Sequence, residues 1–582
     1  MATESLLAMF PPVRTEQWEH LIRETVPGPD YAAKLIWHPE EGLPVRAYYR
    51  AEDLAGLPFL DAIPGAFPYV RGTRSEAGWR IREEIEAVDP EEANRAAIDA
   101  VAMGAEEIAF RRARIESASD VALLLANLSE IPIHFGAANQ QTVRLLLERL
   151  KKRPQASSIS ADFDPLADLE FSAETIRNTP PGFRPFVIDT GEFHESAAGV
   201  IEEVGFALAA AVDFLAEMQD RGLEVDCVAD AISFSFPAGP EFFIQIAKLR
   251  AFRMVWAHAL ETFGGTHDHA KAVIHARPSH WDKTVYDRHV NVLRATTEGM
   301  SAVLGGADSI SIAPLDECCK RPDESSRRLA RNTQIILKRE ALLDRVADPV
   351  GGSYLIEVLT NSIATKAWKL FQELEDAGGY RKARAASILS SVLDRRVKAR
   401  EEAIAGRKRV LTGTNRFANV TEKVADWADV AWMDAMPRVA RRFEQLRLRT
   451  ERYEALNGRS PLIVLAEIGD ARMRSARSQF AADFLACAGL ASEVRRFDRP
   501  EEIGGSDADL IVLCSSDPEY LSIAQELMPV LREQESRSKV VVAGDPETAD
   551  QLKNLGVVEF IHLRSNAIAV LTTLLQQIGV KE

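Results

Sequence analysis

The chain is poor in cysteine, with only Cys227, Cys318, Cys319, Cys487 and Cys514 in 582 residues. The number is odd, the spacing is irregular and no C-x-x-C pair occurs, which argues against a disulfide framework or structural zinc and fits a reducing cytoplasm. No run of about 18 apolar residues is present, so no membrane span is expected. The opening Met1-Ala2-Thr3-Glu4 lacks a basic stretch followed by an apolar core, so no secretory signal is expected. Positive charge is in deficit as well. Lys and Arg number 70 against 87 Asp and Glu, for a formal charge of -17, the wrong sign for a nucleic-acid or anionic-membrane partner. Short-period repeats and low-complexity tracts are also missing.

What is present is ordinary globular composition, 46% hydrophobic and 27% charged, in a chain long enough for two to four domains or one large barrel plus others. Residues 1–65 are rich in Pro, Trp and charge, with short helical pieces such as Glu16 to Glu24, and read as an arm for subunit contact. Over residues 66–400, short β-rich runs recur between helical segments. The runs are Glu107 to Phe110, Ile131 to Phe135, Ser158 to Phe163, Phe186 to Asp189, Ala231 to Phe236, Ala272 to Ala276 and Ser309 to Ile312, with an eighth expected near Arg345 to Tyr354. Helices are expected at Val200 to Gln219, Phe242 to Glu261 and Arg288 to Leu304. Such alternation predicts a parallel sheet, and eight units predict a closed (β/α)₈ TIM barrel. Residues 401–459 read as a charged linker over the surface, helical from Arg438 to Glu454 behind Pro437. Residues 460–582 alternate again, with strands at Leu462 to Ala466, Ala488 to Arg496, Leu510 to Cys514, Val540 to Ala543 and Val558 to Ile561. Five strands in this pattern fit a flavodoxin-like doubly wound α/β domain.

The turn after the first of those strands, Ile468-Gly469-Asp470-Ala471-Arg472-Met473-Arg474-Ser475-Ala476, lies where open parallel sheets bind ligands. It reads as a loop followed by a helical period from Phe480 to Ala488, and it holds no histidine, glycine cluster or carboxylate pair. That combination suggests a domain that has kept its fold and lost its ligand.

Several separate segments resemble, in order, the adenosylcobalamin-dependent acyl-CoA mutases. They are Pro68-Tyr69-Val70-Arg71-Gly72 and the Trp18 region, E-F-F-I-Q-I-A-K-L-R-A-F-R-M-V-W-A from Glu241 to Ala257, and Asn291 to Thr297 with Val303 to Ser309. Arg328 to Gln334 and Asp348-Pro349-Val350-Gly351-Gly352-Ser353-Tyr354 complete the set. In the family's heterodimeric bacterial enzymes one subunit binds cobalamin and substrate, and the other is a similar chain with a degenerate site. The family's D-x-H-x-x-G motif, whose histidine ligates cobalt and whose aspartate orients it, aligns with Ala471, Met473 and Ala476. Methionine provides no imidazole. The family's Ser-x-Leu segment falls near Cys514-Ser515-Ser516, its paired glycines become Ala543-Gly544, and its later Gly-rich loop reads Ile561-His562-Leu563-Arg564.

The barrel departs from the family in parallel. Thr73 to Trp79 contains no tyrosine where active subunits carry one. Asp162-Phe163-Asp164-Pro165, after the third recognised strand, offers acidic groups where an arginine should meet the substrate carboxylate. Val273-Ile274-His275-Ala276-Arg277-Pro278, on the sixth, replaces Arg-Thr-His-Ser-Gln-Thr. His194, in Gly191-Glu192-Phe193-His194-Glu195 after the fourth strand, falls near the family histidine that meets the thioester carbonyl and stands as a catalytic relic candidate. His134 and His275 read as satisfied barrel histidines rather than metal ligands, so no metal site is expected. Cys318-Cys319 reads as small packing residues. Ser233, Ser235, Ser309 and Ser311 alternate and face either a polar channel or the outside.

The resemblance thus implies the small, non-catalytic (beta) subunit of a heterodimeric mutase. It binds no cofactor itself, and its partner is a larger homologous catalytic subunit that holds adenosylcobalamin. Neither nucleic acid nor membrane is expected as a partner. Two rivals remain at this point: a catalytically competent mutase chain for another acyl-CoA, and a stand-alone binding or chaperone protein for cobalamin enzymes.

Overall fold

The computed structural model describes residues 13–25, 31–152, 157–424 and 427–581. Eight parallel strands close into a barrel in chain order: β1 (Arg80–Ile85), β2 (Glu107–Phe110), β3 (Ile133–Phe135), β4 (Ile159–Phe163), β5 (Phe183–Asp189), β6 (Ile232–Ala238), β7 (Ile274–Pro278) and β8 (Ser309–Ile310). β1 closes the ring by pairing with both β2 and β8. The eighth strand expected near Arg345 to Tyr354 is not formed. That stretch is turns leading into the helix Tyr354–Asp376. The missing strand is the first one, R-I-R-E-E-I, so every later strand moves up by one. Asp162 lies in the fourth strand next to its end, His194 follows the fifth, His275 lies on the seventh and Cys318 follows the eighth.

β1 reads poorly as a strand because of where its charges go. Ile81, Glu83 and Ile85 face the helical layer, and Glu83 pairs there with Arg331. Arg80 and Arg82 face the lumen, where both guanidiniums reach the buried Glu107 of β2. A lumen filled with bulky aliphatic side chains is the usual barrel solution. Here the apolar core sits instead between strands and helices, with Phe186 against Phe214 at 5.5 Å and Phe234 against Trp256 at 5.1 Å between ring centroids.

The helix Val200–Asp220 is apolar on nearly every face because it lies between the barrel and the helix Tyr354–Asp376. Gly205 permits that approach, since a Cβ there would stand 2.9 Å from Leu370 Cδ2. The segments that carry the family resemblance meet nearby. Arg71 Nη1 lies 2.9 Å from Asp348 and 3.2 Å from Glu357, and Arg250 pairs with both carboxylates, at 2.8 Å to Glu357. Arg253 donates to the carbonyls of Tyr69, Gly305 and Gly306. These contacts give the four stretches a packing role, while the Glu241 to Ala257 stretch also sends Lys248 to Glu203 beside the end of β6.

The 401–459 segment is not only a surface linker, although many of its described residues are exposed. Its helix Arg441–Asn457 buries Phe443 and Leu446 in the core of the second sheet. On the barrel side Arg447 stacks over Tyr286 at 3.6 Å, and Glu444 accepts from the Val285 amide at 2.8 Å. Glu444, Arg447 and Glu451 are thus buried partners, while Arg442 of the same helix stays exposed and Arg441 partly so. The second sheet is parallel throughout, with β9 (Ile463–Glu467), β10 (Glu493–Arg496), β11 (Leu510–Cys514), β12 (Lys539–Val542) and β13 (Glu559–Phe560) in the order β10-β9-β11-β12-β13. The order reverses between β9 and β11, which makes the crevice beyond their ends the switch point. In the N-terminal segment, the helix Thr15–Thr25 has no buried residue and sets Trp18 against Tyr48 of the same segment, with ring centroids 3.9 Å apart and the rings tilted by 58°.

Candidate functional site

The barrel lumen is a cavity of about 200 Å³ lined by alternate residues of its strands, among them Ser233, Ser235 and Ser309. The serines face inward. Ser309 meets His275 Nδ1 at 3.0 Å, and Ser311 lies 3.3 Å from His275 Nε2 while donating to Glu84 at 3.1 Å. Burial and the Arg82 charge hold the His275 imidazole well below its ordinary pKa, so it is neutral at pH 7. His134 meets Ser160 at 2.9 Å through Nδ1 and lies 3.7 Å from Asp162 through Nε2. Burial works to raise the Asp162 carboxyl, but the His134 and Arg111 contacts bring it down to about 2. Asp162 is thus a paired charge inside the barrel rather than a free acidic group at its rim. Among the described residues, no group of three or more His, Cys, Asp and Glu could hold a metal ion.

His194 is caged. It is 4% exposed, its Nδ1 lies 2.8 Å from Glu203 Oε1, and its Nε2 lies 2.6 Å from Ser279 Oγ. Glu203 also takes a 2.7 Å bond from Lys248. With Glu203 ionised, Nδ1 carries the proton and Nε2 accepts from Ser279. The Glu203 carboxyl would be raised by burial but is held below its ordinary value by Lys248 and His194. Both ring nitrogens are spent inside the protein. Cys318 and Cys319 are buried with their sulfurs 3.6 Å apart, packed with Tyr286 and Met433.

At the second sheet the expected long loop is short. Only Ile468, Gly469 and Asp470 separate β9 from the helix Ala471–Ala486. Asp470 caps that helix by accepting from the Met473 amide at 2.7 Å. A good N-cap with alanine and arginine behind it starts a helix at once. Ala471 and Met473 therefore sit in its first turn and Ala476 in its second, where the sequence suggested a loop.

Across the switch point, Glu519 Oε2 accepts from Ser515 Oγ at 2.6 Å, Ser516 Oγ at 2.6 Å, the Ser516 amide at 3.2 Å and the Asp470 amide at 3.1 Å. These bonds hold its carboxyl down to about 2, first through the two serines. Gly469, at φ +76, leaves the room, since a Cβ there would lie 2.6 Å from Oε2. The next residue, Tyr520, accepts from the Ser515 amide at 3.0 Å and donates to Ala543 O at 2.6 Å. Its ring lies 2.9 Å from a Cβ built on Gly544. Two adjacent side chains thus tie together three of the sheet's C-terminal loops. Sequence reasoning missed Glu519, although Ser516-Asp517-Pro518-Glu519 is a local S-x-x-E capping box that could have marked it; only its bond to the Asp470 amide and the room left by Gly469 come from a distant part of the chain. His562 only shapes its own turn, accepting from the Arg564 amide at 3.2 Å.

The methylmalonyl-CoA mutase family model matches residues 164–478. The chain is 33% identical to the methylmalonyl-CoA mutase small subunit of Porphyromonas gingivalis, with 99% of each chain covered. It is 31% identical to the small subunit from Streptomyces virginiae, over 99% of this chain and 98% of that one. For the small subunit of Propionibacterium freudenreichii subsp. shermanii, identity is 29%, over 91% and 89%. The family match spans more than half of the sequence and the alignments run nearly end to end, so the chain belongs to the methylmalonyl-CoA mutase family.

Proposed function

We propose that this chain is the small, non-catalytic (beta) subunit of a cytoplasmic heterodimeric methylmalonyl-CoA mutase. The larger homologous subunit would bind adenosylcobalamin and interconvert methylmalonyl-CoA and succinyl-CoA by a radical route. The cofactor supplies that chemistry, and the protein supplies binding and enclosure. In this reading residues 1–65 are the subunit-contact arm, 66–400 the barrel, 401–459 the linker and 460–582 a degenerate, flavodoxin-like cobalamin-binding domain.

One observation carries the reading. The switch-point loops are bound to each other through Glu519, and the positions aligned with the cobalt-ligating motif are Ala471, Met473 and Ala476 at the start of a helix. These residues do not fit a corrinoid held through an imidazole. Methionine supplies no such nitrogen, and the crevice where a ligand would enter holds the protein's own carboxylate. His194, with both nitrogens bonded internally, serves as a packing residue in this account. The test is to express the chain alone and together with a longer homologue that keeps D-x-H-x-x-G, then measure bound cobalamin and turnover. Activity only in the pair supports the proposal; turnover by this chain alone sinks it.

A further inference from the structure

A second chamber, of about 250 Å³, adjoins the lumen at the C-terminal ends of β1, β2, β7 and β8. Both spaces are lined by Arg111 and Arg277. Their side chains are 30% and 18% exposed. Neither guanidinium makes a hydrogen bond to any described residue. Arg111 stands 3.7 Å from Glu84 and 3.7 Å from Asp162, and Arg277 stands 3.7 Å from Asp189. Those carboxylates offset charge, but at this distance they do not use the directed N–H donors, which stay open to an acceptor entering the chamber. Arg331, 5% exposed at the side chain and lining the same chamber, leaves its Nε without a partner.

The chamber's own lining carries more arginines than carboxylates, with Asp162 and Asp189 standing outside it on the lumen side of Arg111 and Arg277. Six arginines line it against four glutamates, in a protein whose net charge is -17. His280 also lines it, and Glu317, 3.3 Å away, draws its imidazole toward protonation. The opposite wall is apolar, with Ile312, Pro314, Trp432 and Met436. Guanidinium forks bind planar oxyanions in bidentate fashion, and they do so best where water is partly excluded. C-terminal strand ends are also where barrels bind ligands.

We propose that the mouth of this barrel binds a small oxyanion, a carboxylate or a phosphate, between Arg111 and Arg277. The site uses this chain's own arginines and does not depend on the identity of the partner subunit. Two probes separate the sources: butyrate, whose short chain would lie on the Trp432 wall, and inorganic phosphate, which has no apolar part.

The experiment titrates the full chain with each anion at constant ionic strength, reading the thermal midpoint and tryptophan emission. A saturable rise in midpoint with at least one anion is expected. Arg111→Gln and Arg277→Gln should each weaken it by about tenfold or more, while Arg472→Gln, exposed on the other domain, should leave it unchanged. Should either lumen variant fail to fold, phenylglyoxal labelling of the unaltered protein reads the same site, and the bound anion should protect Arg111 and Arg277. Absence of saturable binding by both probes, binding retained in both folded variants, or labelling of both arginines unaffected by anion would overturn the proposal.

Discussion

Glu519 and Ser515 meet at 2.6 Å beside the switch point of the second sheet, and the same carboxylate oxygen takes the Asp470 amide from the far side of the crevice. Replacing Glu519 with alanine strands these donors and should cost the domain about 1–3 kcal/mol. Amide exchange at Gly469, Asp470, Ser515 and Ser516 should quicken, with the barrel's exchange unchanged. The pH dependence follows from its sign. The folded carboxyl sits near 2, below the unfolded value of about 4.3, so the folded state binds fewer protons. Its contribution is complete above the unfolded pKa and is lost as pH falls through the folded one. Acid titration of unaltered and Glu519→Ala chains should therefore converge toward pH 2.

His194→Asn removes a partner from both Glu203 and Ser279 inside the protein. The expected loss is about 2–4 kcal/mol of stability, from a buried carboxylate that has lost a bond and a cavity beside it. Chemical denaturation measures it. Turnover per folded complex in the reconstituted pair should stay at the unaltered level, a result that a catalytic role for the imidazole would not give.

Restoring the motif letters should not restore the site. The triple variant Ala471→Asp, Met473→His, Ala476→Gly places those residues on a helix capped by Asp470. After incubation with aquacobalamin and desalting, its absorbance spectrum should show no retained corrinoid.

Glu357 is fully buried and pairs with both Arg71 and Arg250. Glu357→Gln leaves two guanidiniums sharing Asp348 alone, so unfolding free energy should drop by about 3–5 kcal/mol. Glu493→Gln, on the exposed strand β10, removes a surface pair to Arg495 and should change it by less than about 1 kcal/mol.

Much of the architecture could be read from residues alone, and the exceptions share a cause. Glu107–Phe110 and Leu510–Cys514 form over the residues expected, because their short length and their place in a strand–helix alternation favour strand over helix. β1 escaped notice because its lumen-facing positions are Arg80, Arg82 and Glu84. An ion-paired interior erases the apolar alternation that identifies a strand. Arg441–Asn457 looked solvated for the same reason, although Glu444, Arg447 and Glu451 are buried against the barrel. At the second sheet, the missing imidazole could be seen in the sequence at Met473. Of the replacement, the local Ser516–Glu519 cap is legible as S-x-x-E, but the bond that carries it to the Asp470 amide, some fifty residues away, is not.

The most direct measurement of the central claim is cobalamin stoichiometry. The full chain, and its complex with a larger homologue carrying D-x-H-x-x-G, are each loaded with adenosylcobalamin in the dark, desalted and read by absorbance. The account predicts none retained by this chain alone and one per heterodimer. One equivalent retained by this chain alone would contradict it.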